Sequence, residues 1–305
     1  MKARPRARLD TALRWSPAQL VFRVRATRQL TVLAYHGIGD PDRFRRQLHH
    51  LARSTRPVSL DQVTAAVRGA GDLPERATLL SFDDGERSLL EVGLPLLRER
   101  GLPAVAFVVA GLLDTDQPFW WAEVEQLAGN GGRVGSQPGL SPVALVRRLK
   151  ALPDAERLAA IEELRRTAPA PPPMPQLRRD ELPLLEAGGI AVGNHTLSHP
   201  VLPRCDDEQV ELELGEAHRI LEGALGHAPS AFAYPNGDWD PRVERALAAF
   251  GYTTAFLFDH RVNPRRPGHP LRISRVRVSS DTSLDRFAAI VSGLHPAMHH
   301  ARGGA

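Results

Sequence analysis

The chain has 305 residues and a net charge of +4, and its 42% apolar and 24% charged shares are those of a globular protein able to build a core. Its one cysteine, Cys205, excludes an internal disulfide framework and a multi-thiolate metal site, so any metal must rest on His and carboxylate groups. Residues 1–30 hold eight basic side chains against Asp10 alone, a local +7, so the remainder nets −3 and does not read as a nucleic-acid binder.

Residues 1–30 read as a basic N-terminal arm. The longest apolar stretch there, 18–22, is interrupted by Gln19 and followed by Arg23, so no signal peptide is expected. No stretch approaches the length of a membrane span. A cytoplasmic protein follows, with an arm that is either solvated and partly disordered or in peripheral contact with anionic membrane. From residue 31 strands alternate with amphipathic helices. Strands are expected at 31–35, 77–82 and 104–109, and helices at 44–51, 60–67 and 87–100, the last stopped by Gly101. Residues 112–176 break the rhythm. They carry Trp120, Trp121 and helical runs near 141–152 and 154–166, and end in a proline run at 169–175, which reads as a helical insertion closed by a stiff linker. Alternation resumes with helices at 178–187, 207–225, 241–250 and 283–291 and strands at 190–194, 231–234, 253–258 and 273–278. A tail at 294–305 follows. About seven strands alternating with helices imply a parallel sheet, open or closed.

Polar residues collect where strands end. His36 follows the first strand, Asp83 and Asp84 the second, His195 the strand at 190–194, and Pro235-Asn236-Gly237 the next. In a parallel barrel those positions share one rim, the rim where active sites lie. In Asp83-Asp84-Gly85 one carboxylate could ligate a metal while its neighbour takes a proton; a plain turn with a helix cap is the competing reading. His195 and His199 are four apart, and Pro200 makes their segment a loop. Two His and a carboxylate form an ordinary catalytic metal set, and two loop histidines held by the backbone are the alternative.

With these residues in order, the chain resembles the polysaccharide deacetylases, the NodB-homology domain of carbohydrate esterase family 4. Ser81-Phe82-Asp83-Asp84-Gly85 is similar to the family's first motif, His195-Thr196-Leu197-Ser198-His199 to its second, and Phe232-Ala233-Tyr234-Pro235-Asn236-Gly237 to a variant of its third. The similarity runs over about 31–293. It implies an α/β fold, a distorted (β/α)7-type barrel with the helical insertion. It also implies a metal-dependent N-deacetylase acting on N-acetylated amino sugars of a surface glycan, an exopolysaccharide or its precursor. The alternatives are an O-acetyl carbohydrate esterase with the same site and a degenerate glycan-binding domain. By the resemblance, Asp84, His195 and His199 hold a divalent ion, with zinc the first candidate, and Asp83 is the base. Thr196 braces the loop, and the Asn236 N–H binds the oxyanion. Tyr234, Pro235 and Trp239 are expected at the substrate, with Trp120, Trp121 and His260 as lesser candidates there.

Two departures matter. The arginine that opens the third motif and pairs with the base is Ala233 here, and Arg275 is the expected replacement, with Arg272 and Arg277 as rivals. The general acid, usually a histidine in a C-terminal Leu-x-His, is assigned to His36 over His295. Cys205 is expected to be inert.

Overall fold

The structure is a computed structural model, and it describes residues 5–135 and 140–301. Lys2 and Arg4 of the basic arm and the last residues of the tail, 302–305, lie outside the described residues. The arm forms two helices, α1 (Pro5–Arg14) and α2 (Pro17–Arg25), before the first strand, β1 (Gln29–Tyr35). There follow α3 (Pro41–Ser54), β2 (Arg56–Pro57), α4 (Leu60–Arg68), β3 (Ala77–Phe82), α5 (Leu94–Arg98) and β4 (Ala104–Val108). The stretch 112–176 contributes α6 (Trp120–Gly129), α7 (Pro142–Lys150) and α8 (Asp154–Thr167). Next come α9 (Leu182–Ala187), β5 (Ile190–Asn194), α10 (Asp207–Leu225), β6 (Ala231–Ala233), α11 (Pro241–Ala249), β7 (Thr254–Phe256), β8 (Asn263–Pro264) and β9 (Val276–Arg277). Helices α12 (Leu284–Val291) and α13 (Leu294–Ala301) end the described chain. No described helix is long and apolar enough to cross a membrane.

The sheet runs β7-β6-β5-β4-β3-β1-β8, with β2 on β3 and β9 on β1. Every pair is parallel except β1 with β8. Strands β1, β3, β4 and β6 are buried almost throughout, as expected when helices cover one face and the barrel interior fills the other. Val32, Leu79, Val105, Phe107, Ala231, Ala233 and Phe256 form the inner core. The outer layer packs the sheet against α3, α5, α9, α10 and α12. The result is a strongly curled, distorted (β/α) barrel.

The strand expected at 273–278 is the seam of that barrel, which is why it is irregular. Its start bonds to β7, with Ile273 N–H donating to Ala255 O at 2.9 Å and Leu257 N–H to Ile273 O at 2.8 Å. Its end, β9, pairs with β1 instead, Val276 beside Leu33. A segment that changes partners midway cannot keep one ladder. Arg275 sits at the changeover, fully buried.

The helix expected at 87–100 is a π-turn over Leu89–Gly93 that continues into α5, because Pro95 has no N–H to continue the regular ladder. Residues 294–301, part of the expected tail, form α13 and pack on α12 and α2. Helices α6, α7 and α8 share their own small core of Val124, Leu127, Leu149, Ile161 and Leu164.

Candidate active site

Parallel register brings the sequence-distant groups together. Tyr35 pairs with Phe82, so His36 and Asp83 leave neighbouring strands at one level, and Asp83 N–H donates to Tyr35 O at 2.9 Å. Val108 pairs with Asn194, and His195 N–H donates to Val108 O at 3.0 Å.

The Asp83-Asp84-Gly85 turn needs two left-handed residues, Asp84 (φ 70°) and Gly85 (φ 79°). A Cβ at Gly85 would also come within 3.1 Å of the Val108 side chain. Asp84 tolerates this backbone better than most residues do, and the turn throws its carboxylate inward. The His195–His199 segment folds back through Thr196 (φ 71°) and His199 (φ 59°) rather than through a helix. Thr196 braces it: its N–H donates to Asn194 Oδ1 at 2.6 Å, and its hydroxyl accepts from His199 N–H at 2.9 Å. Buried Glu213 on α10, a residue no sequence motif pointed to, accepts from the N–H groups of Leu197 and Ser198 at 2.9 and 2.8 Å and from the Ser198 hydroxyl.

Asp84 Oδ1 lies 3.5 Å from His195 Nε2 and 3.6 Å from His199 Nε2, and all three residues are buried. The His195 Nδ1 is 2.7 Å from Ala233 O, which can only accept, so Nδ1 carries the proton and Nε2 presents a lone pair. Burial first, and then His195, hold His199 down to about 3, so its ring is neutral. Asp84 Oδ1 is buried with no hydrogen-bond partner among the described residues. Electron pairs thus converge from three buried side chains, an arrangement a cation stabilises and that is costly without one. The donor set fits a divalent metal ion.

Arg275 reaches the neighbouring carboxylate, donating to Asp83 Oδ1 and Oδ2 at 2.5 and 2.9 Å, to Ser81 Oγ at 3.2 Å and to Leu257 O at 2.7 Å. Burial would raise the Asp83 carboxyl, but the guanidinium, with His195 and His36, outweighs it and holds the group below its ordinary value. The rivals lie elsewhere. Arg272 is 2.6 Å from Glu244, and Arg277 rests over Phe258. His36 stands at the rim, its Nε2 3.9 Å from Asp84 Oδ2 and its ring edge-on to Phe258. His295 instead meets His260 at 3.0 Å.

Pro235 is buried, and Asn236 sits in the left-handed region at φ 56°. Tyr234 is fully buried and donates its hydroxyl to Leu271 O at 3.1 Å, so its ring belongs to the core rather than to the rim. Trp239 is partly buried with the Arg272 guanidinium 3.8 Å from its ring centre. Both tryptophans at the start of α6 reach the site. Trp120 donates to His199 O at 2.9 Å, and Trp121 lies 4.5 Å from the His199 ring. They wall a cleft of about 720 Å³ beside His199, and a second of about 410 Å³ opens on the His36 side. Lys150, at the end of α7, also crosses to the rim and donates to Asn236 Oδ1 at 2.5 Å. Nothing in its sequence neighbourhood marks it, since only the packing of α6, α7 and α8 brings it there.

Cys205 is buried, and that burial pushes its thiol up to about 12. Native protein at pH 8 should therefore alkylate with iodoacetamide roughly 10³-fold more slowly than urea-unfolded protein, as read by mass spectrometry.

The polysaccharide deacetylase profile matches residues 70–138 and 161–255, more than half of the chain. A stretch of 65 residues is 37% identical to chitin deacetylase 1 of Cryptococcus neoformans, covering 21% of this chain and 14% of that protein. A stretch of 59 residues is 42% identical to the poly-β-1,6-N-acetyl-D-glucosamine N-deacetylase of Escherichia coli K12, covering 19% and 9%. Among solved structures, IcaB from Ammonifex degensii superposes with a TM-score of 0.60 at 22% identity, over 87% of this chain and 97% of that one. The Streptococcus pyogenes deacetylase PplD gives 0.59 at 17% identity, over 86% and 98%. These two establish a shared fold. Together with the matched profile and the buried Asp-His-His group, they lead to one conclusion: the chain belongs to the polysaccharide deacetylase family.

Proposed function

We propose that the chain is a metal-dependent N-deacetylase that removes acetyl groups from N-acetylated amino sugars of a surface glycan, an exopolysaccharide or its precursor. The observation that carries this reading is the convergence of Asp84, His195 and His199 on one point beside an Asp83 clamped by Arg275. Asp84, His195 and His199 would hold a divalent ion, zinc first, and that ion would supply Lewis acidity toward the acetyl carbonyl and toward water. Asp83, kept ionised and immobile, takes the proton of the attacking water. The backbone N–H of Asn236 donates to the oxygen on which charge develops. His36, exposed enough to exchange protons with solvent, gives one to the departing amine. The cleft walled by Trp121 reaches His199 and the other reaches His36, and two clefts at the neighbours of Asp84 suit successive sugars of a chain. The amide substrate class is supported by the names of the chitin and poly-N-acetylglucosamine relatives.

Elemental analysis of purified protein beside His199→Ala, followed by turnover of matched N-acetyl and O-acetyl sugars, tests the reading. About one divalent ion per chain is expected, lost in the variant, with acetate released from the N-acetyl substrate. Turnover of the O-acetyl sugar alone would make the protein an esterase, and absence of metal after reloading would leave it a glycan-binding domain. Lys150→Met should lower kcat about tenfold with a smaller change in KM, because Asn236, whose N–H meets the oxygen on which charge develops, then loses its partner from α7.

A further inference from the structure

Helix α1 is anchored to the barrel by ion pairs, Arg14 to Asp285 at 2.6 Å and Asp10 to Arg286 at 3.1 Å. Helix α2 lies inside out. Its polar Gln19 is buried, donating to Ala288 O at 3.1 Å and accepting from the Ser292 hydroxyl. Its apolar residues Leu20, Val21 and Val24 point away, with 64%, 52% and 69% of their surface exposed, and Trp15 just before it is 76% exposed. Leu20, Val21 and Val24 share the helix face opposite Gln19 and Ala26, and Arg23 and Arg25 border that face on its two sides. A helix that hides its amide and shows its aliphatic residues is not arranged for water.

A second observation lies beneath it. Between α2 and the barrel is a cavity of about 310 Å³ with Arg23, Arg53 and Arg76 in its wall, together with the hydroxyls of Thr31, Thr55 and Thr78. Its lining holds no carboxylate, and among the described residues none of the three arginines has an acidic partner. Burial, then Arg14 and Arg23, holds His50 in the same wall down to about 4.

We infer that α2 and this cavity form a membrane-docking surface selective for anionic phospholipid, with Trp15, Leu20, Val21 and Val24 entering the interface and the cavity arginines taking a phosphate headgroup. Apolar residues bordered by arginines are the pattern of a helix lying in the plane of a bilayer surface, where the aliphatic face is buried and the guanidinium groups stay at headgroup level. An aromatic ring such as Trp15 belongs at that depth. A second copy of the chain is a poorer occupant, because a two-fold contact sets one arginine-bordered face against another and α2 carries no acidic residue to pair with it. This inference stands apart from the proposed reaction, since none of its residues lies at the Asp84 rim.

The test is co-sedimentation of the full chain with vesicles of equal parts phosphatidylcholine and phosphatidylglycerol, beside vesicles of phosphatidylcholine alone. Binding to the mixed vesicles only is expected, weakening with salt. Arg53→Gln and Arg76→Gln should each cost about five-fold in affinity. Leu20→Ser with Val24→Ser should abolish binding, and because both positions are exposed, the circular dichroism and melting temperature of that variant should match the wild type. Trp15 emission, isolated by difference against Trp15→Phe, should shift to the blue on the mixed vesicles. No binding to the mixed vesicles, equal binding to both kinds, or undiminished binding of the serine variant overturns the inference. So does a concentration-dependent dimer, by sedimentation velocity, that disappears in the serine variant, because the face then belongs to a second copy.

Discussion

Asp83→Asn is expected to lower kcat by about 10²–10⁴-fold while the metal content stays at the wild-type level. The amide keeps the shape of the carboxylate but cannot accept a proton at neutral pH. Asp84, one residue on, faces His195 and His199 rather than Arg275, so the two neighbouring carboxylates are separated by function through a single left-handed turn. Pre-steady-state measurement of acetate release against elemental analysis reads the two roles independently. Retained turnover in the variant would remove Asp83 from the base assignment, and a parallel loss of metal would place it among the ligands.

Arg275→Ala is the second large effect, and it acts on stability as well as rate. Removing one member of a fully buried pair strands the other, at a cost of about 3–5 kcal/mol. The sign with pH follows from the direction of the shift. The Asp83 carboxyl is held low in the folded protein, so its stabilising contribution is present above the ordinary carboxylate range and is lost as pH falls through the folded value. Without the guanidinium, burial dominates and the carboxyl rises. The acid limb of kcat/KM should then move to higher pH, and urea unfolding near neutrality should occur at lower denaturant. Arg275→Lys should recover part of the stability but less of the rate, because an ammonium cannot bridge both carboxylate oxygens. An unshifted acid limb in either variant would show that Arg275 does not govern Asp83.

Much of the site was legible because strands announce themselves by apolar runs and functional groups follow them. Ala77–Phe82 and Asp207–Leu225 coincide with the expected ranges, and His36, Asp84, His195 and His199 meet as their positions after strands implied. Helix α3 starts three residues before the expected 44 because Asp40 caps it, accepting from Arg43 N–H, with Pro41 at its first turn. What stayed hidden depends on contacts between distant segments. Glu213 sits mid-helix among other acids, and only its burial under the histidine loop gives it a role. Lys150 and Trp121 reach the rim through the packing of α6, α7 and α8, which no local pattern encodes. The seam at 273–278 reads as a good strand from its β-branched residues, yet its hydrogen bonds go to two different neighbours.

The Asp83–Arg275 clamp joins residues 192 positions apart across that seam. In synthesis the guanidinium follows the carboxylate by most of the barrel, and it follows both histidines that face Asp84. While the chain emerges, the Asp-His-His group can therefore assemble before the base has its partner. Until the last turn of the barrel docks, Asp83 must stay hydrated. Closing the barrel at its seam is thus the event that desolvates Asp83 and pairs it with Arg275 in one step.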